Sequence, residues 1–277
     1  MAKIHIVTDS TAYLPPEEIK RFGITVLPLK IIFSDKEYKE TELDGVQFLD
    51  MIKKEFPKTS PPSLDEFWDV FAEKTADDGE VISIHLSSGL SETVQTAVGV
   101  TQMMQTGERI SVIDSGSMGI GERLLVLTAA LMAERGRSRE EIVDVLNRKI
   151  ATMRTIFIPS TLEYLKKGGR IGGAQALIGS FLQIKPVLNV VSGKVDILDK
   201  IRTTSKALQR MIHELPKDLS RYEVFSVHWH DKPGAEELQK MIMDNFENAN
   251  VHIAELGPVI GVHVGPGLRG IFYAEKM

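Results

Sequence analysis

The sequence predicts an α/β protein with an N-terminal domain on a mainly parallel sheet and a C-terminal α+β domain. Length is the first reason, because 277 residues suit about two domains at roughly 150 residues each. Order is the second: short β-rich runs alternate with segments of helical spacing through the first half, the pattern of strands joined by crossover helices. The third is that three β-rich runs end in small polar clusters, at residues 8–11, 87–91 and 114–117. In a parallel sheet these ends share one edge, and ligands of open α/β sheets bind outside that edge.

The first strand covers residues 3–7, Lys-Ile-His-Ile-Val, and runs into Thr8-Asp9-Ser10-Thr11. Residues 14–23 read as a helix, with Pro15 and Pro16 at the start, where a missing N–H is harmless, and Gly23 at the end. Residues 24–33 are extended and 44–56 return to helical spacing. Ser63 with Glu66 forms a capping box for a helix over 63–76, each side chain satisfying a backbone donor that the first turn leaves free. Residues 80–86 are the second strand, followed by Ser87-Ser88-Gly89-Leu90-Ser91 and a helix that Ser91 is placed to start. The third strand, 109–115, precedes a polar turn and an apolar helix over 122–136. A second capping box, Ser138 with Glu141, opens a helix to about Ala151, and the domains divide there as 1–152 and 153–277.

In the second domain, 154–159 is a strand and 160–169 a helix, capped by Ser160 with Glu163 and stopped by Gly168 and Gly169. Residues 173–184 read as an apolar helix, and 187–198 as a hairpin turning near Ser192-Gly193. Helix 205–215, strand 223–230, helix 234–246, strand 251–256 and a last strand 269–276 complete the α+β pattern. His263 falls in a glycine-rich loop between the last two strands.

Composition excludes several classes. Apolar residues make up 43% and charged residues 26%, a globular balance. The 33 basic and 38 acidic residues leave a net charge of −5, which argues against an electrostatic nucleic-acid binder. There is no cysteine, so disulfides, thiolate catalysis and thiolate-held zinc are excluded. No 20-residue apolar run occurs, so no transmembrane helix is expected. The start lacks the apolar stretch of a signal peptide, so a cytoplasmic address is expected.

Three motifs carry possible chemistry. Residues 265–270, Gly-Pro-Gly-Leu-Arg-Gly, match the letters of a dinucleotide fingerprint, but a strand rather than a helix follows them. His228 and His230 are two apart in a strand, a weak pair of metal ligands against the plainer reading of a strand end, and no metal is expected. Ser91 has three readings: nucleophile, ligand donor or helix cap. The nucleophile reading makes this a serine hydrolase of acyl esters, with His263 as base and Asp9 or Asp114 to orient it. Against that, Thr93 stands where the nucleophile elbow of such hydrolases needs its second glycine. The donor reading groups hydroxyls, helix-start N–H groups and a histidine into a carboxylate or phosphate site.

Seven segments together resemble the DegV family of bacterial fatty-acid-binding proteins, whose members include the lipid-carrying subunits of fatty acid kinase. They are VTDST at 7–11, TSPPS at 59–63, LSSGLSETVQTA at 86–97, VIDS at 112–115, YLKKGGRI at 164–171, IKPVL at 184–188 and HVGPG at 263–267. The resemblance spans the chain and implies a non-catalytic lipid carrier that takes no cofactor besides its bound fatty acid. That long-chain acid would lie between the two domains with its tail in an apolar tunnel, walled in part by residues 124–133 and 176–184. The family pattern puts its carboxylate on Thr59, Ser60 and Ser91, with His263 nearby. It further implies a kinase catalytic subunit as partner, and Arg170 and Arg202 as contacts to the acyl phosphate or to that partner. Two positions depart from the family: Pro61 stands in place of a glutamine, and Glu92 in place of a glycine. A carboxylate at Glu92 would repel the ligand if it faced inward, whereas at a helix start it is favoured facing solvent.

Overall fold

A computed structural model describes residues 3–34, 36–177 and 184–276, in a chain that forms two compact units, Met1–Ala151 and Thr152–Met277. In the first unit the elements are β1 (Ile4–Asp9), α1 (Pro16–Phe22), β2 (Thr25–Leu27), β3 (Lys30–Ile32), β4 (Glu37–Lys39), α2 (Gly45–Lys54), β5 (Lys58–Ser60), α3 (Leu64–Lys74), β6 (Glu80–His85), α4 (Thr93–Met103), β7 (Ile110–Asp114), α5 (Ile120–Glu134) and α6 (Arg139–Thr152). Strands β2-β1-β6-β7, in that order, make an all-parallel sheet. Its two central strands, β1 and β6, are largely buried, as a sheet covered by crossover helices requires, while the edge strands β2 and β7 are partly open. Val7, Val81 and Ile110 pack with Phe67 and Phe71 of α3 and with Ala97 and Val100 of α4.

The extended run at 24–33 is not one strand. Thr25–Leu27 joins the parallel sheet, and Lys30–Ile32 is the centre of a second, antiparallel sheet in the order β4-β3-β5. Pro28 lies between them, and its missing N–H breaks a ladder at that point. Both helix starts read from Ser-x-x-Glu in this unit hold. Ser63 accepts from the Glu66 N–H at 3.2 Å while the Glu66 carboxylate accepts from the Ser63 N–H at 2.7 Å. Ser138 and Glu141 do the same at 3.2 and 2.9 Å.

The second unit contains β8 (Arg154–Ile158), α7 (Glu163–Lys167), β9 (Lys185–Val191), β10 (Lys194–Ile201), α8 (Thr204–Ile212), β11 (Tyr222–Trp229), α9 (Lys232–Asn245), β12 (Val251–Glu255), α10 (Pro258–Val264) and β13 (Leu268–Glu275). One mixed sheet of order β10-β9-β8-β13-β11-β12 carries it, with β11 and β12 parallel and the other pairs antiparallel. Ile156, Val187, Val224 and Ile271 of that sheet pack against Leu208 and Met211 of α8 and Leu238 and Ile242 of α9.

Two local expectations fail here. Ser160 does not cap a helix, because its hydroxyl donates to the Pro266 carbonyl at 2.6 Å, and α7 starts only at Glu163. The loop expected around His263 is a short helix, α10, with Pro258 at its first position and Gly265 just past its end. Gly261 permits this helix, since a Cβ there would strike the indole of buried Trp229. Of the apolar helix expected over 173–184, residues 172–177 form a 3-10 helix, and residues 178–183 lie outside the described residues. Among the described residues no helix is long and apolar enough to cross a membrane.

Candidate functional site

Parallel pairing sets the three polar strand ends side by side. Thr8 faces Ile84 and His85 faces Asp114 in the ladder, so the loops after β1, β6 and β7 leave one edge together. Asp114 organises two of them: it accepts from the N–H of Ser88 at 3.2 Å and of Gly116 at 2.8 Å, and the Ser88 hydroxyl donates to its other oxygen. The Ser87 N–H donates to the Ser117 carbonyl at 2.7 Å, and the Ser115 N–H to the His85 carbonyl at 3.0 Å.

The segment carrying Ser91 is thereby tied down at its start. Ser91 itself is half-buried, its N–H donates to the Ser87 carbonyl at 3.1 Å, and its Oγ lies 2.8 Å from Thr93 Oγ1. It is not the helix cap: α4 begins at Thr93, and Glu92 occupies the cap position without a side-chain bond. The hydroxyl of Ser91 goes to a neighbouring hydroxyl, an arrangement that can also turn outward to an acceptor. Glu92 is exposed, which answers the question of its direction.

Thr59 and Ser60 lie on β5, opposite Ile31 and Lys30 of β3. Both are half-buried, and Ser60 Oγ donates to the Pro61 carbonyl at 3.2 Å. The strand they pair with is anchored to the end of β1. The Leu29 N–H donates to Ser10 Oγ at 3.0 Å, the Ser10 hydroxyl donates to buried Glu40, and Tyr13 donates to the same carboxylate at 3.1 Å.

In the second unit His263 and Arg170 are brought together. The Arg170 guanidinium donates to the Gly168 carbonyl at 2.7 Å, and a Cβ on Gly168 would run into His263 Nδ1. Burial first, and then the positive charge of Arg170, push the His263 imidazole down to a pKa of about 3. At any ordinary pH the ring is neutral, a hydrogen-bonding group and a poor base. Arg202 is exposed in the turn between β10 and α8. His228 is buried and its Nδ1 accepts from the Asp231 N–H at 3.4 Å, while His230 sits past the strand end with a left-handed backbone. Among the described residues no group of three or more His, Asp or Glu side chains is placed to hold a metal ion. At residues 265–270 a helix precedes and a strand follows, the reverse of a dinucleotide-binding turn.

The group that sequence reasoning missed lies beneath the loops of the first unit. Asp9 Oδ2 lies 3.0 Å from His85 Nδ1, and His85 Nε2 lies 2.6 Å from Ser83 Oγ. This is the order of a hydrolase triad, but all three side chains are 0% exposed and no substrate reaches Ser83. Glu122, at the start of α5, is also fully buried and accepts from Thr8 Oγ1 at 3.0 Å. Burial and the neighbouring Asp9 charge push its carboxyl well above the usual range. The sequence carried little signal for this group, since Ser83 and His85 alternate with isoleucines as any strand face does. A glutamate in the first turn of an apolar helix also reads as a dipole partner.

Comparison with known proteins gives a consistent picture. The family model described as an uncharacterised protein of the DegV family matches residues 3–276. A DegV domain-containing protein of Halalkalibacterium halodurans is 37% identical over 285 residues, covering 100% of both chains. Among solved structures, a DegV family protein of Thermus thermophilus described for its fatty acid binding aligns with a TM-score of 0.88 at 32% identity, over 99% of this chain and 100% of its own. DegV of Bacillus subtilis, described as a fatty acid binding protein, aligns with a TM-score of 0.88 at 32% identity over 100% of both chains. A fatty acid binding DegV family protein of Streptococcus agalactiae reaches a TM-score of 0.90 at 27% identity, again over 100% of both.

Proposed function

This chain belongs to the DegV family, and on that premise we propose that it binds a long-chain fatty acid and presents the carboxylate to a fatty acid kinase. The observation that carries the reading is that full-length relatives of the same fold are fatty acid binding proteins. Thr59, Ser60 and Ser91 are assigned to the carboxylate, with His263, a neutral imidazole, as a further hydrogen-bonding group. Hydroxyls suit this task, because a buried carboxylate needs hydrogen bonds and they supply them without a second buried charge. The tail is assigned to an apolar tunnel that α5 helps to wall. Each buried methylene contributes about 0.8 kcal/mol, so a long acyl chain gains on the order of 10 kcal/mol gross before ordering costs. Arg170 and Arg202 are assigned to the acyl phosphate or the kinase, Arg202 being the exposed one of the two.

The serine hydrolase reading fits less well. Asp9 is engaged with His85, Asp114 with the Ser88 loop, and a histidine with a pKa of about 3 activates no serine at neutral pH. A fluorophosphonate probe separates the two: stable labelling at Ser91 supports the hydrolase.

Native mass spectrometry of the purified protein is expected to show a retained long-chain acid, and a protein that is empty and cannot be loaded refutes the proposal. Ser91→Ala is expected to weaken retention about tenfold or more, since a hydrogen bond to a charged group contributes about 1.5–3 kcal/mol. Arg202→Ala is expected to leave retention unchanged and to lower acyl phosphate formation with the kinase. Equal values for both variants in both assays count against these roles.

A further inference from the structure

We propose that Glu122 carries a proton and is a positioning residue, acting through Thr11 and Asp9 to hold the chain that leads into the Ser87–Ser91 loop. Thr11 Oγ1 lies 2.6 Å from Asp9 Oδ1 and 2.8 Å from Glu122 Oε2, and a hydroxyl has one hydrogen for two carboxyl oxygens. One of the carboxyls therefore supplies the other hydrogen. The fixed donors decide which. Asp9 Oδ1 accepts from the Thr11 N–H at 3.0 Å and Asp9 Oδ2 from the Leu86 N–H at 3.1 Å, so both Asp9 oxygens face backbone donors that cannot turn away. His85 Nδ1 adds a third, from 3.0 Å. Among the described residues Glu122 meets no backbone donor; its partners are the rotatable hydroxyls of Thr8 and Thr11 and the neighbouring Asp9 carboxyl.

The proton thus sits on Glu122 Oε2 and points to Thr11 Oγ1, whose own hydrogen points to Asp9. Glu122 through Thr11 on one side and the His85 ring on the other both end on one ionised carboxylate. Asp9 in turn grips the Leu86 N–H, the first backbone group after β6, from which the Ser87–Ser91 segment departs. Among the described residues no lysine or arginine is paired with Glu122. From β1 the facing group is Asp9 and from β6 it is His85, while His5 and Glu80 lie at the far ends of those strands. The turn at Ser10–Ala12 contributes the Thr11 hydroxyl, and Glu18 of α1 is met by Arg123 at 3.0 Å.

Because the folded protein raises the Glu122 pKa, its contribution to stability is present below the ordinary glutamate value of 4.5 and is lost as pH rises through the raised value. Ionised Glu122 would put two carboxylates on one hydroxyl and loosen both loops.

The functional arm of the test rests on the fatty acid reading, and the first two arms do not. With 13C-labelled glutamate, the wild-type protein at pH 7 is expected to show one carboxyl carbon at the protonated position, absent from Glu122→Gln. All glutamates at the ionised position overturn the proposal. Glu122→Gln, which can donate to Thr11 and accept from Thr8, is expected to melt close to wild type and to lose part of the alkaline decline, whereas Asp9→Asn turns a donor against donors and melts far lower. The reverse order overturns the proposal by placing the proton on Asp9. Where wild type retains a fatty acid, Glu122→Ala is expected to release it at least tenfold faster, and Glu122→Gln to restore most of that loss; equal release rates in all three refute the positioning role. A wild type that holds no fatty acid refutes the proposed function and leaves the first two arms to decide the proton.

Discussion

Asp9→Ala is expected to lower the urea midpoint of the N-terminal unit by about 2 M, at a slope of about 2 kcal/mol per M. The truncation removes the acceptor for the Thr11 N–H, the Thr11 hydroxyl, the Leu86 N–H and His85 Nδ1, all buried. Each stranded donor costs about 1–3 kcal/mol. The sum, about 4 kcal/mol or more, is a large share of the roughly 5–15 kcal/mol that a domain has in total. Asp50 is the control, an exposed carboxylate that among the described residues is bonded to Lys53 alone, and Asp50→Ala is expected to change little. The chain has two tryptophans, Trp68 in the first unit and Trp229 in the second. Replacing one or the other by phenylalanine therefore lets fluorescence follow each unit in the intact protein. A midpoint within about 0.5 M of wild type would show that the buried network contributes little.

The second large effect is on acid stability, and it belongs to His263. Its folded-state pKa is depressed from 6.5 to about 3, so the stability it contributes is fully present above 6.5 and is lost as pH falls from there toward 3. The unfolded chain takes up a proton that the folded unit refuses, because the cation would be desolvated beside the Arg170 guanidinium. Stability of the second unit is expected to fall by at most about 1.4 kcal/mol per pH unit from this residue. His263→Gln keeps a polar side chain and cannot titrate, so its acid limb between pH 6.5 and 4.5 is expected to be shallower than wild type. His228, whose pKa burial also lowers, remains in both proteins and cancels in the comparison. Parallel limbs would mean that the ring is solvated at the moment it titrates.

Much of the architecture was legible because its signals are short-ranged. A capping box involves residues three apart, and the Ser63–Glu66 and Ser138–Glu141 boxes form as their spacing predicts. Parallel pairing of β1, β6 and β7 follows from strands separated by helices, and it brings the three polar ends to one edge. The same short-range rules misread Ser160, whose hydroxyl is claimed by Pro266 more than a hundred residues along the chain. They misread the segment around His263 as well, because α10 depends on Gly261 fitting under the Trp229 ring. Ser91 shows the limit most directly: small and polar before a helix, it fits a cap, yet Glu92 holds the cap position and the Ser91 and Thr93 hydroxyls pair with each other.

By itself the sequence determined the α/β class, most of the strand and helix order and, through seven segments in a fixed order, the family. Tertiary structure alone decided which titratable groups meet. Asp9 finds His85 76 residues away, and the Thr11 beside it finds Glu122 111 residues away. Neither distance leaves a mark on local spacing. Charge state depends on what surrounds a group after the chain has closed around it, through lost hydration and the charges brought near. A glutamate, a histidine and an aspartate that look like ordinary surface or strand residues in the sequence therefore become, once buried together, a neutral acid, a fixed imidazole and the carboxylate that holds both.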